Sequence, residues 1–385
     1  MKENSKYFQY AYSAQYVMRW KGRTPSGRDS AGISAARSAV LFFILCALEK
    51  ELTGKDVPRK DLGVVGLILR GVTAKDRGDM RFETKNNPKL STLKKEGEKI
   101  LLDKFFENMS NSIVPYLKKA VRMYDDKTTK ASKMMHLAKK FDSYIFARRE
   151  LIDYNNNMFK EDYSDTYNCL INEIKESKVK AGEELLNCIK TKNNLYKFIM
   201  KYYDMDKEYR WDTFERSTLL PEDDDAIHSF RVSAINIFNG VIEKYKNKKK
   251  IDFFALTVKP LFHDLQEVEV GDIIMPIKYA TVEMKAAVHQ YEDNMAEQMI
   301  KDIEYAEVKN ELLKHFVGAK DDSFEGELTD LSDKTDALIY SLMKANQGSL
   351  VYRDCFRTNL KLMQNQYSEE CFKFFLAYIL YDLIK

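Results

Sequence analysis

Apolar residues along this chain recur at intervals of three and four positions, the spacing that places side chains on one face of a helix. The clearest case lies between residues 230 and 245, where the apolar positions are Phe230, Ala234, Ile237, Phe238, Val241 and Tyr245. No stretch alternates apolar and polar residues for long enough to predict a sheet. The pattern therefore predicts an all-α protein.

Two further apolar stretches predict buried helices. The longest uninterrupted apolar run, residues 39–48, is flanked by Arg37, Glu49 and Lys50 and is too short to cross a bilayer, so it predicts a core helix. Residues 371–384 are apolar on almost every side and predict a buried closing helix. The N-terminal residues have no apolar signal core. We therefore expect a cytoplasmic protein with no membrane partner.

Composition supports this interpretation. A chain of 385 residues is long enough for two domains, and its 15 Gly and 7 Pro are few for a protein rich in strands and tight turns. None of its five cysteines forms a CxxC pair, which argues against a disulfide framework and against a thiolate zinc site. The net charge of +3 comes from interspersed acidic and basic residues and predicts no stable nucleic-acid partner.

An internal repeat divides the chain into two copies. Each copy has an Arg-Trp pair, a helical segment that follows it, a segment that ends in Gly-Asp, and a last helical segment that contains an aspartate. In the first copy these landmarks are Arg19–Trp20, Arg37, 67–79 and 139–147. In the second copy they are Arg210–Trp211, His228, 260–272 and 333–341. The repeat predicts domains at 1–150 and 191–385, joined by a polar connecting segment of helices at 151–190.

Metal-ligand residue types occupy the landmarks of the second copy, namely His228, His263, Asp264 and Asp336. Two imidazoles and two carboxylates suit one divalent ion such as Mn, Co, Fe, Ni, Mg or Zn. Such an ion polarises a phosphoryl oxygen and lowers the pKa of bound water. If the segment after His263 is helical, Glu267 lies on the same face and can orient that water or accept its proton. Asp272 is a second carboxylate candidate.

The first copy has other residues at these landmarks. Where the second copy has His, His-Asp and Glu, the first has Arg37, Arg70–Gly71 and Ala74, so we predict no metal there. Its expected role is structural, packed on the second copy as a second subunit would be. The alternative is that Arg19, Arg37 and Arg70 form an anion or nucleotide pocket that regulates the other half.

The order His, His-Asp, Asp resembles the HD-domain superfamily of metal-dependent phosphohydrolases. Longer motifs resemble the bacterial HD-domain 5′-deoxynucleotidases. Residues 263–279, HDLQEVEVGDIIMPIKY, follow that family's pattern H-D-x-x-E-V-x-x-G-D-x-P-x-P-V-K-Y, from which Ile274 and Ile277 depart. The loop between Arg210–Trp211 and His228 is a few residues longer than is usual in the family.

The resemblance implies two HD-type helical bundles in tandem, the first of them degenerate. It also implies a role for each candidate residue. These are metal binding for His228, His263, Asp264 and Asp336; orientation or activation of water for Glu267; assistance near the leaving group or sugar for Asp272; phosphate binding for Arg210; packing against the sugar for Trp211; and positive potential for Lys278.

The implied reaction is hydrolysis of a deoxyribonucleoside 5′-monophosphate to nucleoside and phosphate. A deoxynucleoside triphosphohydrolase and a phosphodiesterase of a signalling nucleotide are alternatives, because a fold does not determine a substrate. A nucleotide-binding sensor or interaction protein without turnover is the alternative outside the enzymes. Base preference, native metal, and the choice between monomer and homodimer stay open at this point.

Overall fold

The computed structural model describes residues 4–78, 88–107, 109–210, 223–271 and 280–384, and within these residues the fold is all-α, as predicted. Pairing of extended backbone is limited there to two isolated β-bridges, Met18 with Ser30 and Tyr209 with Asp224. The helices of the first part of the chain are α1 (Ser5–Ser13), α2 (Ala31–Thr53), α3 (Lys60–Val72), α4 (Ala74–Arg77), α5 (Pro88–Glu107), α6 (Val114–Met123), α7 (Lys130–Arg148), α8 (Lys160–Ser177) and α9 (Lys180–Thr191).

The second part repeats this order. Its helices are α10 (Asn194–Asp204), α11 (Asp225–Lys246), α12 (Phe253–Phe262), α13 (Glu267–Val270), α14 (Val282–Ile300), α15 (Ala306–Leu312), α16 (Phe324–Asn346), α17 (Leu350–Gln366), α18 (Glu370–Phe375) and α19 (Tyr381–Ile384). Single π-helical turns extend three of the helices, at Arg149–Asp153, Leu313–Val317 and Leu376–Leu380.

Matching helix caps give the register of the repeat. The side chain of Ser30 caps α2 by accepting from the Ile33 amide, and Asp224 caps α11 in the same way from Ile227. Thr129 and Ser323 cap α7 and α16 with the same offset of 194 residues. By this register Arg37 corresponds to Arg231 and Ser34 to His228. The predicted match of Arg37 with His228 is therefore wrong, because the loop before α11 is three residues longer than the loop before α2.

One apolar core connects the two halves. Phe43 on α2 stacks on Phe254 of α12 with ring centroids 5.9 Å apart, and the Tyr7 hydroxyl donates to the Ala234 carbonyl oxygen at 2.8 Å. The predicted core helix at 39–48 is the middle of α2. Although α2 is long and apolar enough to count as a candidate membrane span, 94% of its apolar window is buried inside the protein.

The chain after residue 150 packs more closely than a linker. Helix α8 contacts α7, and α9 contacts α2, where the Glu49 carboxylate accepts from the first-turn amide of Ala181. Glu243 on α11 accepts from the Cys371 amide in the equivalent place of the second half. The division at 150 and 190 stays a prediction, and these contacts favour joining 151–190 to the first half.

The predicted closing helix is divided and is only half buried. It consists of α18, a π turn and α19. Phe372 and Phe375 face the core, whereas Tyr378 and Tyr381 are more than half exposed. The prediction of helix is thus confirmed, and the prediction of burial on all sides is wrong.

Candidate metal centre

His228 lies in the first turn of α11, close to the capping residue Asp224. The helix is buried along most of its length, so the imidazole is 1% exposed and its orientation is fixed by neighbouring side chains. Its backbone amide donates to the Asp224 carbonyl oxygen at 3.0 Å. The predicted position of His228 at the start of a helix is confirmed.

His263 and Asp264 follow the end of α12. The helix stops at Phe262, and the next residues form a turn before the four-residue helix α13. The predicted helix from His263 to Glu267 is therefore broken. Within the turn, the ring nitrogen Nδ1 of His263 lies 2.7 Å from the Pro260 carbonyl oxygen. This contact directs Nε2 towards α11.

Three predicted ligands converge on one point, and their ligand atoms all lie within 4.8 Å of one another. The two Nε2 atoms of His228 and His263 are 3.2 Å apart. The Asp264 oxygen Oδ2 lies 3.1 Å from Nε2 of His263 and 3.5 Å from Nε2 of His228. Ligands that each lie about 2.1 Å from a shared ion are roughly 3.0–3.4 Å apart, so this spacing fits one divalent cation.

Proton positions strengthen this fit. Nδ1 of His228 lies 2.8 Å from Asp336 Oδ2, and Nδ1 of His263 lies 2.7 Å from a carbonyl oxygen that can only accept. Both Nδ1 atoms therefore act as donors, and in the neutral rings both Nε2 atoms present lone pairs. Two lone pairs and a carboxylate oxygen facing one another suit a cation, and imidazole ligands in metal sites are oriented by such outer contacts.

Asp336 lies behind His228, on the side of Nδ1. Its Oδ1 accepts from the Arg231 Nε at 2.8 Å, and its Oδ2 accepts from the same guanidinium at 2.9 Å. Arg231 is fully buried and also binds Asp223 at 2.7 Å. The hydroxyl of Tyr12, from the first half, donates to Asp336 as well. The structure thus does not bring Asp336 to the point where the other three predicted ligands meet.

A different aspartate on α16 reaches that point. Asp333 lies one turn before Asp336, and its Oδ1 is 3.2 Å from Nε2 of His228 and 3.8 Å from Nε2 of His263. Its second oxygen pairs with Lys320 at 2.7 Å. The sequence prediction did not include Asp333 or Lys320. The i, i+3 spacing of the two aspartates was the available signal, since it places both on one face of α16.

A second group of carboxylates borders the cluster. Asp225, Asp264 and Glu267 also have oxygens within 4.8 Å of one another. Arg210 lies between two of them, with its NH1 group 3.1 Å from Asp225 and 2.9 Å from Asp264. The predicted residues Glu267 and Arg210 are thus beside the cluster, and Asp225 is an addition that sequence reasoning missed.

The carboxylates of the cluster favour positive charge at its centre. Burial and Arg210 oppose the charged form of His228, but hydrogen bonds to three aspartates raise its pKa well above the ordinary value. Burial opposes the charged form of Asp264, yet His263 and Lys320 hold the pKa of that carboxyl well below its usual range. Burial raises the pKa of Asp225 to about 7, although Arg210 opposes this shift.

Three predicted site residues, Trp211, Asp272 and Lys278, lie outside the described residues. The roles assigned to them from the family pattern stay predictions. The described backbone ends beside them at Arg210 and Gly271. Gly271 has a φ of +77°, a conformation that favours glycine, and Gly78 has a φ of +60° at the equivalent place in the first half.

Comparison with known proteins gives two findings. A family model described as 5′-deoxynucleotidase YfbR-like matches residues 6–185 and 197–383. Among solved structures, the chain is similar to an HD-domain phosphohydrolase from Listeria innocua, with 26% identity, 49% of this chain and 89% of that chain covered, and a TM-score of 0.44. The search of curated proteins gives no match.

The two matched segments agree with the predicted tandem copies, and the resemblance inferred from the motifs is confirmed. The first segment matches the family although it has no counterpart of His228, His263 or Asp264. Since the family model covers most of the chain, the protein belongs to the YfbR-like 5′-deoxynucleotidase family and is a metal-dependent phosphohydrolase.

Proposed function

We propose that the second half hydrolyses the phosphoester of a deoxyribonucleoside 5′-monophosphate and releases nucleoside and phosphate. The observation that carries this proposal is the meeting of the Nε2 atoms of His228 and His263 with Asp264 Oδ2, at separations of 3.1–3.5 Å. The substrate class is supported by the family match and by the sequence pattern of residues 263–279.

In this proposal the divalent ion is held by His228, His263, Asp264 and Asp333. A bound divalent ion supplies a Lewis acid for the phosphoryl oxygen and lowers the pKa of a coordinated water. Asp336 fixes the ring of His228 through Nδ1, as outer carboxylates do in other metal sites. Lys320 neutralises the Asp333 oxygen that does not face the histidines.

The remaining residues act on the substrate and on protons. Arg210 is 20% exposed in its side chain and is held by Asp225 and Asp264, so its outer N–H groups can bind a phosphate oxygen. Glu267 lies within 4.8 Å of Asp264 and accepts a proton from the attacking water. Asp225 holds Arg210 in place, and its negative charge compensates the positive charge of that partly buried guanidinium.

The test is a turnover screen of the purified protein with Mn²⁺, Co²⁺ or Mg²⁺ against all nucleoside mono- and triphosphates. We expect release of orthophosphate from deoxyribonucleoside monophosphates, and loss of that activity in Asp264→Asn. The control is Asp56→Asn, which changes an exposed aspartate of the first half. Equal phosphate release by the wild type and Asp264→Asn would mean that the activity comes from a contaminant.

The products separate this proposal from its alternatives. Tripolyphosphate would indicate a triphosphohydrolase, and a linear nucleotide would indicate a phosphodiesterase of a cyclic signalling nucleotide. Tight nucleotide binding without any turnover, in all three metals, would support the sensor and overturn the enzyme proposal. Turnover and nucleotide binding are measured on the same protein preparations, so one experiment decides among these alternatives.

A further inference from the structure

The first half repeats the architecture of the metal centre with cations at its ligand positions. Its helices α2, α3 and α7 correspond to α11, α12 and α16. By the register of the helix caps and of the Gly78 and Gly271 turns, Ser34, Arg70, Gly71 and Lys139 stand at the positions of His228, His263, Asp264 and Asp333. Arg19 corresponds to Arg210. Metal ligands are thus replaced by a hydroxyl, a glycine and two cations.

The position of Gly71, the counterpart of Asp264, has no room for a carboxylate side chain in this packing. A Cβ atom at Gly71 would lie 2.5 Å from the Phe230 ring and 2.6 Å from the Ala35 Cβ, and Phe230 belongs to the core of the other half. Any side chain at this position therefore has to displace the Phe230 ring or the Ala35 methyl group. The first half is committed to a centre without the counterpart of Asp264.

Lys139 lies on α7, one turn before Asp142, and is partly buried. No ion pair joins it to a carboxylate in the part of the chain that the structure describes. Burial lowers the pKa of Lys139 to about 7, and the neighbouring cations Arg19 and Arg70 add to this shift. Asp142 opposes this shift without cancelling it, so the net effect of the charged neighbours on the ammonium group is repulsive.

Arg70 and Arg77 are poorly compensated as well. The Arg70 guanidinium stacks on the Tyr124 ring at 3.8 Å, and its buried Nε has no hydrogen-bond partner among the described residues. The closest ion-pair oxygen, on the exposed Asp125, is 4.0 Å away. Arg77 donates to the Arg70 carbonyl oxygen, and burial lowers the pKa of Arg77 to about 9, with Arg70 adding to the shift.

Nearby carboxylates are already occupied. Asp142 accepts from Arg37 at 2.8 Å and from Arg19 at 2.9 Å, and Asp29 binds the same two guanidinium groups at 2.6 and 3.0 Å. Two arginines thus use both buried aspartates. Lys139, together with Arg70 and Arg77, is left with a surplus of positive charge in a partly desolvated place, which is costly unless an anion compensates it.

We propose that the first half binds the phosphate group of an anionic ligand at this surplus of charge, with Lys139 and Arg70 as its donors. A phosphate group offers several acceptor oxygens, and guanidinium groups bind such oxyanions through paired hydrogen bonds. Binding needs no metal, because a hydroxyl, a glycine and two cations replace the four proposed metal ligands. The site is separate from the catalytic centre of the second half.

The test is calorimetric titration of the full-length, Mn²⁺-loaded protein with inorganic phosphate. We expect two phosphate sites per chain in the wild type, and loss of one of them, by at least about tenfold in affinity, in Lys139→Met and in Arg70→Met. Lys139→Arg keeps the positive charge and should keep both sites. Lys133→Met removes a charge from the same helix α7 and is the matched control, expected to keep both sites.

Asp264→Asn removes the phosphate site of the second half and leaves the first-half site to be measured alone. A wild type with a single site that Lys139→Met abolishes would sink the proposed catalytic function and support the present inference. A single site that Lys139→Met leaves unchanged, or equal losses in Lys133→Met and Lys139→Met, would overturn the inference. Thermal unfolding of each variant separates lost binding from lost structure, because Lys139→Met and Arg70→Met remove poorly compensated cations and should unfold at or above the wild-type temperature.

A second arm distinguishes free phosphate from the phosphate of a nucleotide. Deoxyribonucleoside 5′-monophosphates are titrated into Asp264→Asn and into the double variant with Lys139→Met. Tighter binding of the nucleotide than of inorganic phosphate, lost with Lys139, would identify a nucleotide site. Equal affinities would identify a site for the phosphate group alone, and no Lys139-dependent binding of either ligand would overturn the proposal.

Discussion

In each half of the chain, an arginine on the long buried helix (α2 in the first half, α11 in the second) pairs with two aspartates. The same atoms are in contact both times: Arg37 Nε with Asp142 and Arg231 Nε with Asp336, each at 2.8 Å, and the guanidinium ends with Asp29 and Asp223. Only the second half adds a histidine against this network. The comparison teaches that the buried ion pairs belong to the scaffold, whereas the metal centre depends on three or four side chains placed upon it.

Each half also contributes a tyrosine that donates a hydrogen bond to a buried aspartate of the other half. Tyr12 of the first half donates to Asp336, and Tyr203 of the second half donates to Asp142. Each tyrosine is buried in the partner half, so neither site is complete within its own copy. The degenerate half therefore helps to position the catalytic one, which gives a physical reason for a tandem chain to retain it.

The largest difference between the halves is expected at the ligand positions. His263→Ala removes a ligand of the proposed metal and should reduce bound metal and turnover by more than the roughly 10–100-fold that outer partners cost. Arg70→Ala changes the matched residue of the first half and should leave metal content unchanged. Metal analysis and phosphate release measure both. Metal loss in Arg70→Ala would break the assignment of the ion to the second half.

The second-largest effect is expected for the two aspartates of α16, Asp333 and Asp336. Asp333→Asn should weaken metal binding by at least about tenfold and leave thermal stability nearly unchanged, because Asp333 is 19% exposed in its side chain. Asp336→Asn leaves the buried Arg231 poorly compensated and should destabilise the fold by about 3 kcal/mol. Metal titration and thermal unfolding of both variants decide the matter. If Asp336→Asn abolishes metal binding without loss of stability, Asp336 is the ligand.

Gly71 tests whether the first half can become like the second. Gly71→Asp should destabilise the protein by at least about 2 kcal/mol, since its side chain would enter the space of Phe230 and bury a charge. Gly97→Asp places the same residue in open space and is the control. Chemical denaturation compares the two. A stable Gly71→Asp protein would show that the interface between the halves can yield.

The charge of Lys139 makes anion binding in the first half depend on pH. Because burial holds the pKa of Lys139 near 7, against an ordinary 10.5, the free side chain is charged below about pH 7 and neutral above it. A bound anion favours the charged form, so binding above pH 7 requires proton uptake and weakens by up to about tenfold per pH unit. Sulfate is the probe, as its own charge is constant over this range.

Among the groups that face Lys139, burial lowers the pKa of Arg77 to about 9, and Arg37 and Arg19 hold the pKa of Asp142 below its usual range against the effect of burial, so both stay mostly charged between pH 6 and 8. The sulfate affinity of Lys139→Arg should therefore be flat over the same interval, since arginine stays charged. Calorimetric titration at four pH values measures both proteins. Identical slopes in the two would exclude Lys139 as the titrating donor.

The smallest effect is expected for the exchanged tyrosines. Tyr12→Phe removes one of several hydrogen bonds to Asp336 and should lower metal affinity by a few-fold, corresponding to about 1 kcal/mol. Tyr203→Phe removes the matched bond to Asp142 and should leave metal affinity as it was. Metal titration of both variants checks this. An equal response would show that the support of the catalytic centre does not pass through Tyr12.

The sequence by itself determined the helical class, the tandem repeat and three residues of the candidate metal centre. His228, His263 and Asp264 could be chosen because few side chains bind metals and because their order along the chain matches a known pattern. The apolar run at 39–48 likewise identified α2 as a core helix, and helical periodicity identified α11 as a helix with one apolar face.

Only the tertiary structure distinguishes Asp333, which lies against the Nε2 atom of His228, from Asp336, which lies against its Nδ1 atom, and gives the register that pairs Ser34 with His228. Residues three apart on a helix lie about 60° apart around its axis, so sequence spacing alone leaves both aspartates within reach of one site. The choice depends on where Arg231 and Tyr12 stand, because a carboxylate that already accepts from a buried guanidinium and a hydroxyl faces away from the cluster. Those partners come from α11 and from the other half, and no local pattern places them there.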